Sequence, residues 1–127
     1  MKILIIDKSS AFTESLSNFF NSKGIISITT NDAMEGLQNI RQKNFAAILL
    51  DIDMSVISDL GIIDFLAGDD ILKNQNLFII SENKIPEVKL RYLLRKEGIK
   101  GILKKSKTPE EFFSAIFSDW SQKKVEN

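Results

Sequence analysis

At 127 residues, 43% of them hydrophobic and 9% aromatic, the chain fits one domain with a single core. Seventeen basic and seventeen acidic residues cancel, so the chain as a whole carries no electrostatic footprint for nucleic acid. The absence of cysteine and histidine excludes thiol nucleophiles, Ser-His triads, imidazole bases and the common zinc sites, leaving carboxylate, lysine and hydroxyl chemistry.

After Lys2 the chain runs straight into an apolar stretch, Ile3–Ile6, of strand length and without alternation, the mark of a strand buried on both faces. With no extended apolar segment and no small-residue cleavage site there, a signal peptide is not expected, and no stretch is long enough to span a membrane, so a cytoplasmic location is expected. Phe12, Leu16, Phe19, Phe20 and Lys23 then recur at helical spacing, opened by Ser9 or Ser10 as cap and closed by Gly24. A second strand reads at Ile25–Ile28, and Asn31 is the expected cap of a second helix carrying Ala33, Leu37 and Ile40.

The third strand is Ala46–Leu50, followed by a helix across Ile62, Ile63, Phe65 and Leu66 that stops near Gly68. Leu77–Ile80 is the fourth strand, and its helix starts at Pro86 and carries Leu90, Leu93 and Leu94 towards Gly98. Gly101–Leu103 is the fifth. Thr108-Pro109-Glu110-Glu111 joins a capping box to proline at the first helical position, and Phe112, Phe113, Ile116, Phe117 and Trp120 give the last helix a core-facing stripe. Strict alternation of five strands and five helices implies right-handed crossovers and a five-stranded, doubly wound parallel α/β sheet over residues 1–120, with 121–127 as a short polar tail.

Ligands on such sheets sit beyond the carboxyl ends of the strands. Four of those ends carry polar residues suited to phosphate or metal chemistry: Asp7, Asp51, Ser81 and Lys105. The first turn, Asp7-Lys8-Ser9-Ser10-Ala11, contains no glycine, which argues against the nucleotide-binding uses of the fold.

Asp7, the run Leu49-Leu50-Asp51-Ile52-Asp53-Met54, Ser81 and Lys105, in that order over residues 2 to about 120, resemble a two-component response-regulator receiver domain. The resemblance implies the flavodoxin-like strand order 2-1-3-4-5. It also implies Asp51 as phosphoacceptor, Ser81 and Lys105 as ligands of the phosphoryl oxygens, and a Mg²⁺ held by Asp7, Asp51 and the carbonyl of Asp53. An aspartate can attack a phosphoryl group once charge on the transferring oxygens is neutralised by a metal and a cation.

Several positions depart from the family's pattern. Lys8 stands where a second acidic residue is usual, so Mg²⁺ binding is expected to be weak, and its ammonium is expected within hydrogen-bonding reach of Asp7 or Asp51 as a built-in counter-charge. Met54-Ser55, Ser58-Asp59, Glu82 and Ile102 replace the usual Met-Pro, Asp-Gly, small residue and aromatic switch residue. Lys105-Ser106 replaces Lys-Pro, and its bond is expected to be trans.

Two functions are compatible with this pattern. One is a stand-alone receiver, not an enzyme, that takes a phosphoryl group on Asp51 from a histidine kinase or phosphotransfer protein and switches a downstream protein. The other is a pseudo-receiver, a protein-interaction module on the same fold that works without phosphorylation. Arg91, Arg95, Lys96, Lys100, Lys104, Lys105 and Lys107 concentrate positive charge near the fourth helix and fifth strand, balanced by acids that include Asp69, Asp70, Glu110 and Glu111. In the family the face formed by the fourth helix, fifth strand and fifth helix meets targets; a solvated basic face is the plainer reading.

Overall fold

The computed structural model describes residues 1–54, 61–68, 70–118 and 122–127. Ser55, Ser58, Asp59, Asp69, Trp120 and Ser121, which the sequence reading used, lie outside them.

The buried apolar runs become strands as expected. β1 (Lys2–Ile6), β3 (Ala47–Asp51) and β4 (Leu77–Ser81) are buried on both faces, whereas β2 (Ile26–Thr30), at the sheet edge, is mostly open to solvent. β5 (Ile99–Lys104) begins two residues earlier than its sequence pattern suggested. The helices are α1 (Ser10–Ser22), α2 (Ala33–Gln42), α3 (Gly61–Gly68), α4 (Glu87–Leu94) and α5 (Pro109–Ile116). A short 3₁₀ turn covers Leu72–Asn74.

All strands are parallel, in the order β2-β1-β3-β4-β5 with one further strand beyond β5. Because strand side chains alternate between faces, one set packs under α2, α3 and α4 and the other under α1 and α5. Leu4, Ile6, Leu50, Ile79 and Ile102 meet Ile40, Ile63, Leu66 and Leu93 on the first face. Ile3, Ile5, Leu49, Phe78 and Leu103 meet Leu16, Phe20, Phe112 and Ile116 on the second. Phe112 meets Phe12 edge to face at 5.8 Å, and the half-buried Phe113 and Phe117 pack against α1 through Phe20.

Two helix boundaries differ from the sequence reading. Asp32, not Asn31, caps α2, its carboxylate accepting from the Met34 N–H; Asn31 is drawn away to bond the first strand's turn. α4 ends at Leu94, short of Gly98, and the ammonium of Lys123 donates to Leu94 O in its last turn at 2.5 Å and to Lys96 O just beyond it at 2.7 Å. Burial pushes the Lys123 ammonium below the usual lysine range, helped by Lys100 nearby.

The polar tail returns to the sheet. Lys124–Val125 forms β6, parallel to β5, with Gly101 opposite Lys124 and Ile102 opposite Val125. Glycine at 101 permits the approach, since a Cβ there would sit 2.9 Å from the Lys124 carbonyl. Polar side chains then hold the segment. Glu126 accepts from the Lys104 N–H at 3.1 Å and pairs with Lys107 at 2.6 Å, while the Asn127 amide accepts from the Ile85 N–H at 2.7 Å and donates to its carbonyl at 2.9 Å. A two-residue strand without an apolar run leaves no periodic signal to read.

Candidate functional site

The register brings the polar strand ends together. Ile6 lies opposite Leu50 and Asp51 opposite Ile80, so the residues that follow β1, end β3 and end β4 converge at the carboxyl edge; the Lys105 N–H then bonds the Ser81 carbonyl at 2.9 Å. Asp7, Asp51, Ser81 and Lys105 thus meet in one place.

Asp7 is fixed from three sides. Its N–H donates to Thr30 O at 3.1 Å, its carbonyl accepts from Asn31 Nδ2 at 2.7 Å, and Asn31 Oδ1 in turn accepts from the Ser10 hydroxyl at 3.2 Å. Asp7 Oδ1 accepts from the Ser9 N–H at 2.8 Å and from Lys105 Nζ at 3.0 Å. Asp51 Oδ1 accepts from the Asp53 N–H at 2.9 Å, and Asp51 Oδ2 lies 3.9 Å from Lys105 Nζ. Both carboxylates are fully buried, and the lysine that serves them passes 5.0 Å from the centre of the Phe12 ring.

Burial raises the Asp51 carboxyl above its ordinary value, and the charges of Asp7 and Asp53 add to the rise; the Asp53 N–H and Lys105 oppose it. The expected counter-charge is therefore present, but Lys105 supplies it. Lys8 is exposed, and among the described residues no ion pair joins it to Asp7 or Asp51. The flexible lysine stem gains more from hydration than from entering a pocket that already holds one ammonium. Lys8 instead lines an open cavity beside the carboxylates with Ser9, Phe12, Glu82, Lys105 and Ser106.

The Ser81 hydroxyl and the Asp53 carboxylate are both engaged within the protein. The Ser81 hydroxyl donates to the Asn83 carbonyl at 2.5 Å, within its own loop, with Asp53 Oδ2 further off at 3.5 Å. Asp53 Oδ2 accepts from the Glu82 N–H at 3.0 Å. The Lys105–Ser106 bond is trans, as expected. Ile102 is fully buried under α4, where it packs as core.

Asp7 Oδ2 and Asp51 Oδ2 are buried without a hydrogen-bond partner. Orphaned oxygens on two carboxylates that share the Lys105 ammonium suit a hard divalent cation, and Mg²⁺ is commonly held by only one or two carboxylates plus waters. The donor set therefore fits such an ion through Asp7 and Asp51. Among the described residues no group of three or more acidic side chains converges on one point, because the Asp53 carboxylate is turned to Glu82.

The sequence does not reveal that Asn31 and Phe12 stand at the site: Asn31 reads as a cap and Phe12 as part of a helical stripe, and nothing in periodicity distinguishes those roles from holding a site. Among the described residues no helix is long and apolar enough to cross a membrane.

The family model for the response regulator receiver domain matches residues 3–117. None of the curated proteins matches the sequence. Among solved structures, the receiver domain of the Francisella response regulator 1452 is 23% identical, with 91% of this chain and 92% of that one covered and a TM-score of 0.75. Vibrio cholerae CheY4, crystallised at low pH, is 22% identical over 89% of this chain and 92% of its own, with a TM-score of 0.74. A response regulator from Burkholderia pseudomallei, whose structure carries a phosphorylated aspartic acid, a calcium ion and citrate, is 16% identical over 94% of this chain and 68% of its own, also at 0.74. These likenesses establish the fold, and with the family match over most of the sequence, the chain belongs to the response regulator receiver domain family of two-component signalling.

Proposed function

We propose that Asp51 accepts a phosphoryl group from the phosphohistidine of a histidine kinase or phosphotransfer protein in the cytoplasm, and that a downstream protein reads the change. The chain acts here as a phosphoacceptor and not as an enzyme that turns over a small molecule. The Asp51 carboxylate attacks phosphorus, an O–P bond forms as the N–P bond breaks, and the imidazole leaves as the neutral base after taking a proton. The observation that carries this reading is a buried carboxylate with a free oxygen beside one ammonium at 3.9 Å and a second carboxylate with its own free oxygen.

Each neighbour has a role in positioning or charge. Lys105 is placed to follow charge from the carboxylates onto the transferring oxygens. Asp7, held by Asn31 and Ser9, would hold Mg²⁺ together with Asp51; when bound, the ion supplies charge neutralisation at the phosphoryl oxygens. Ser81 reaches a phosphoryl oxygen after rotating away from Asn83. For the partner we propose the face of α4, β5 and α5, now including β6. Its basic residues are partly engaged already: Arg91 with Glu87, Lys96 over Tyr92, Lys107 with Glu126.

A second reading, a pseudo-receiver working without phosphorylation, is favoured by one observation, the bond from Glu82 N–H to Asp53. Treatment with acetyl phosphate and Mg²⁺ followed by intact mass measurement separates the two. A gain of one phosphoryl group, absent in Asp51→Asn, supports the first; an unchanged mass supports the second.

A further inference from the structure

A phosphoryl group on Asp51 would bring two negative charges into a buried site and would need hydrogen-bond donors at once. Three stand around the turn from Asp51 to Asp53: Lys105 Nζ, the Ser81 hydroxyl and the Glu82 N–H. Each already has an acceptor within the protein. Lys105 is on Asp7, Ser81 is on the Asn83 carbonyl, and Glu82 is on Asp53. The last is singular, because its acceptor is a carboxylate from the phosphoacceptor's own turn. Asp53 Oδ2 lies 3.0 Å from the Glu82 nitrogen and 3.5 Å from the Ser81 hydroxyl oxygen, so one anionic oxygen sits between both groups at the end of β4.

We propose that Asp53 is a resident anion: its carboxylate takes the place of a phosphoryl oxygen on the Glu82 N–H, tethers the loop after β4 to the turn after β3, and must be displaced when Asp51 is phosphorylated. This rests on Asp51 being the phosphoacceptor and adds a residue that sets how readily it reacts. Asp53 is a positioning residue here. It competes for a donor without touching the reacting phosphorus, and its charge also repels an incoming phosphate. The tether holds the loop in the unphosphorylated protein, so phosphorylation exchanges one acceptor for another and moves the loop little.

The test compares wild type, Asp53→Ala and Glu82→Gln, using acetyl phosphate with Mg²⁺ as the probe and intact mass as the readout, alongside amide exchange at Glu82 in untreated protein. Glu82→Gln removes an equal charge from the rim of the site but leaves the N–H on Asp53. A hydrogen bond to a charged acceptor corresponds to about a tenfold change or more, so Asp53→Ala is expected to be phosphorylated about tenfold faster than wild type and clearly faster than Glu82→Gln. Its Glu82 amide is expected to exchange faster by a similar factor. If Asp53→Ala does not fold, Asp53→Ser, too short to reach Glu82, carries the same comparison. Equal rates for Asp53→Ala and Glu82→Gln, or equal Glu82 exchange in Asp53→Ala and wild type, overturn the inference while leaving the phosphoacceptor reading intact. No phosphorylation in any of the three overturns that reading, and the inference falls with it.

Discussion

Replacing Lys105 with methionine keeps most of the apolar stem and removes the ammonium between Asp7 and Asp51. The side chain is 14% exposed and its two carboxylate neighbours 0% and 1%, so water cannot take over its work. At an effective dielectric of about 20, attractions across 3.0 and 3.9 Å amount to roughly 5.5 and 4.3 kcal/mol before desolvation is subtracted. Desolvation offsets much of that, and losing one partner of a buried pair costs about 3–5 kcal/mol, because the other charge stays behind. With a urea slope of about 2 kcal/mol per molar, the midpoint should fall by about 2 M at neutral pH.

The effect should depend on pH in a fixed direction. Lys105 is one of the groups that opposes the rise at Asp51, so without it the Asp51 carboxyl moves higher still. A carboxyl raised by folding stabilises the native state while protonated, and that contribution is lost as pH rises through its folded value. The deficit of Lys105→Met is therefore largest at neutral pH and shrinks as pH falls through that raised value. Urea titrations from neutral pH into the acid range measure it. A deficit below about 1 kcal/mol at neutral pH, far under the range for a broken buried pair, or one that stays the same size down the whole acid range, refutes the reasoning.

Asp51→Asn should stabilise the protein at neutral pH, since it removes a buried charge that folding opposes, and the gain should disappear as pH falls and wild-type Asp51 takes up its proton; thermal melts across the range measure this. Asn31→Ala should cost about 1–3 kcal/mol in urea titration by leaving the Asp7 carbonyl without its 2.7 Å partner, and calorimetry should show weaker Mg²⁺ binding. Gly98→Ala should cost more than about 3 kcal/mol or prevent folding, because its Cβ would fall 1.6 Å from the Leu72 carbonyl oxygen, and backbone on both sides leaves it nowhere to go; circular dichroism of the purified variant decides.

Much of the fold was legible because its signals are local. Apolar runs of strand length, the capping box at Thr108 and the glycines each act over a few residues, and alternation of strands and helices then leaves few topologies. The meeting of Asp7, Asp51, Ser81 and Lys105 followed from the sheet rule alone. What the sequence concealed depends on distance across the fold. Asn31 sits where a cap would, yet its amide finds the Asp7 carbonyl while Asp32 caps α2. Lys8 and Lys105 have the same side chain, and only burial decides which of them serves the carboxylates. β6 depends on side-chain bonds from Lys123, Glu126 and Asn127 to segments more than 20 residues away, and no periodicity announces such bonds.

Chemical trapping identifies the phosphoacceptor directly. Treatment with acetyl phosphate and Mg²⁺ followed by borohydride reduction converts an aspartyl phosphate into homoserine at the residue that carried it, and peptide mass spectrometry locates that residue. Homoserine is expected at position 51 and nowhere else. Homoserine at position 7 or 53, or at no position, would show that Asp51 is not the phosphoacceptor.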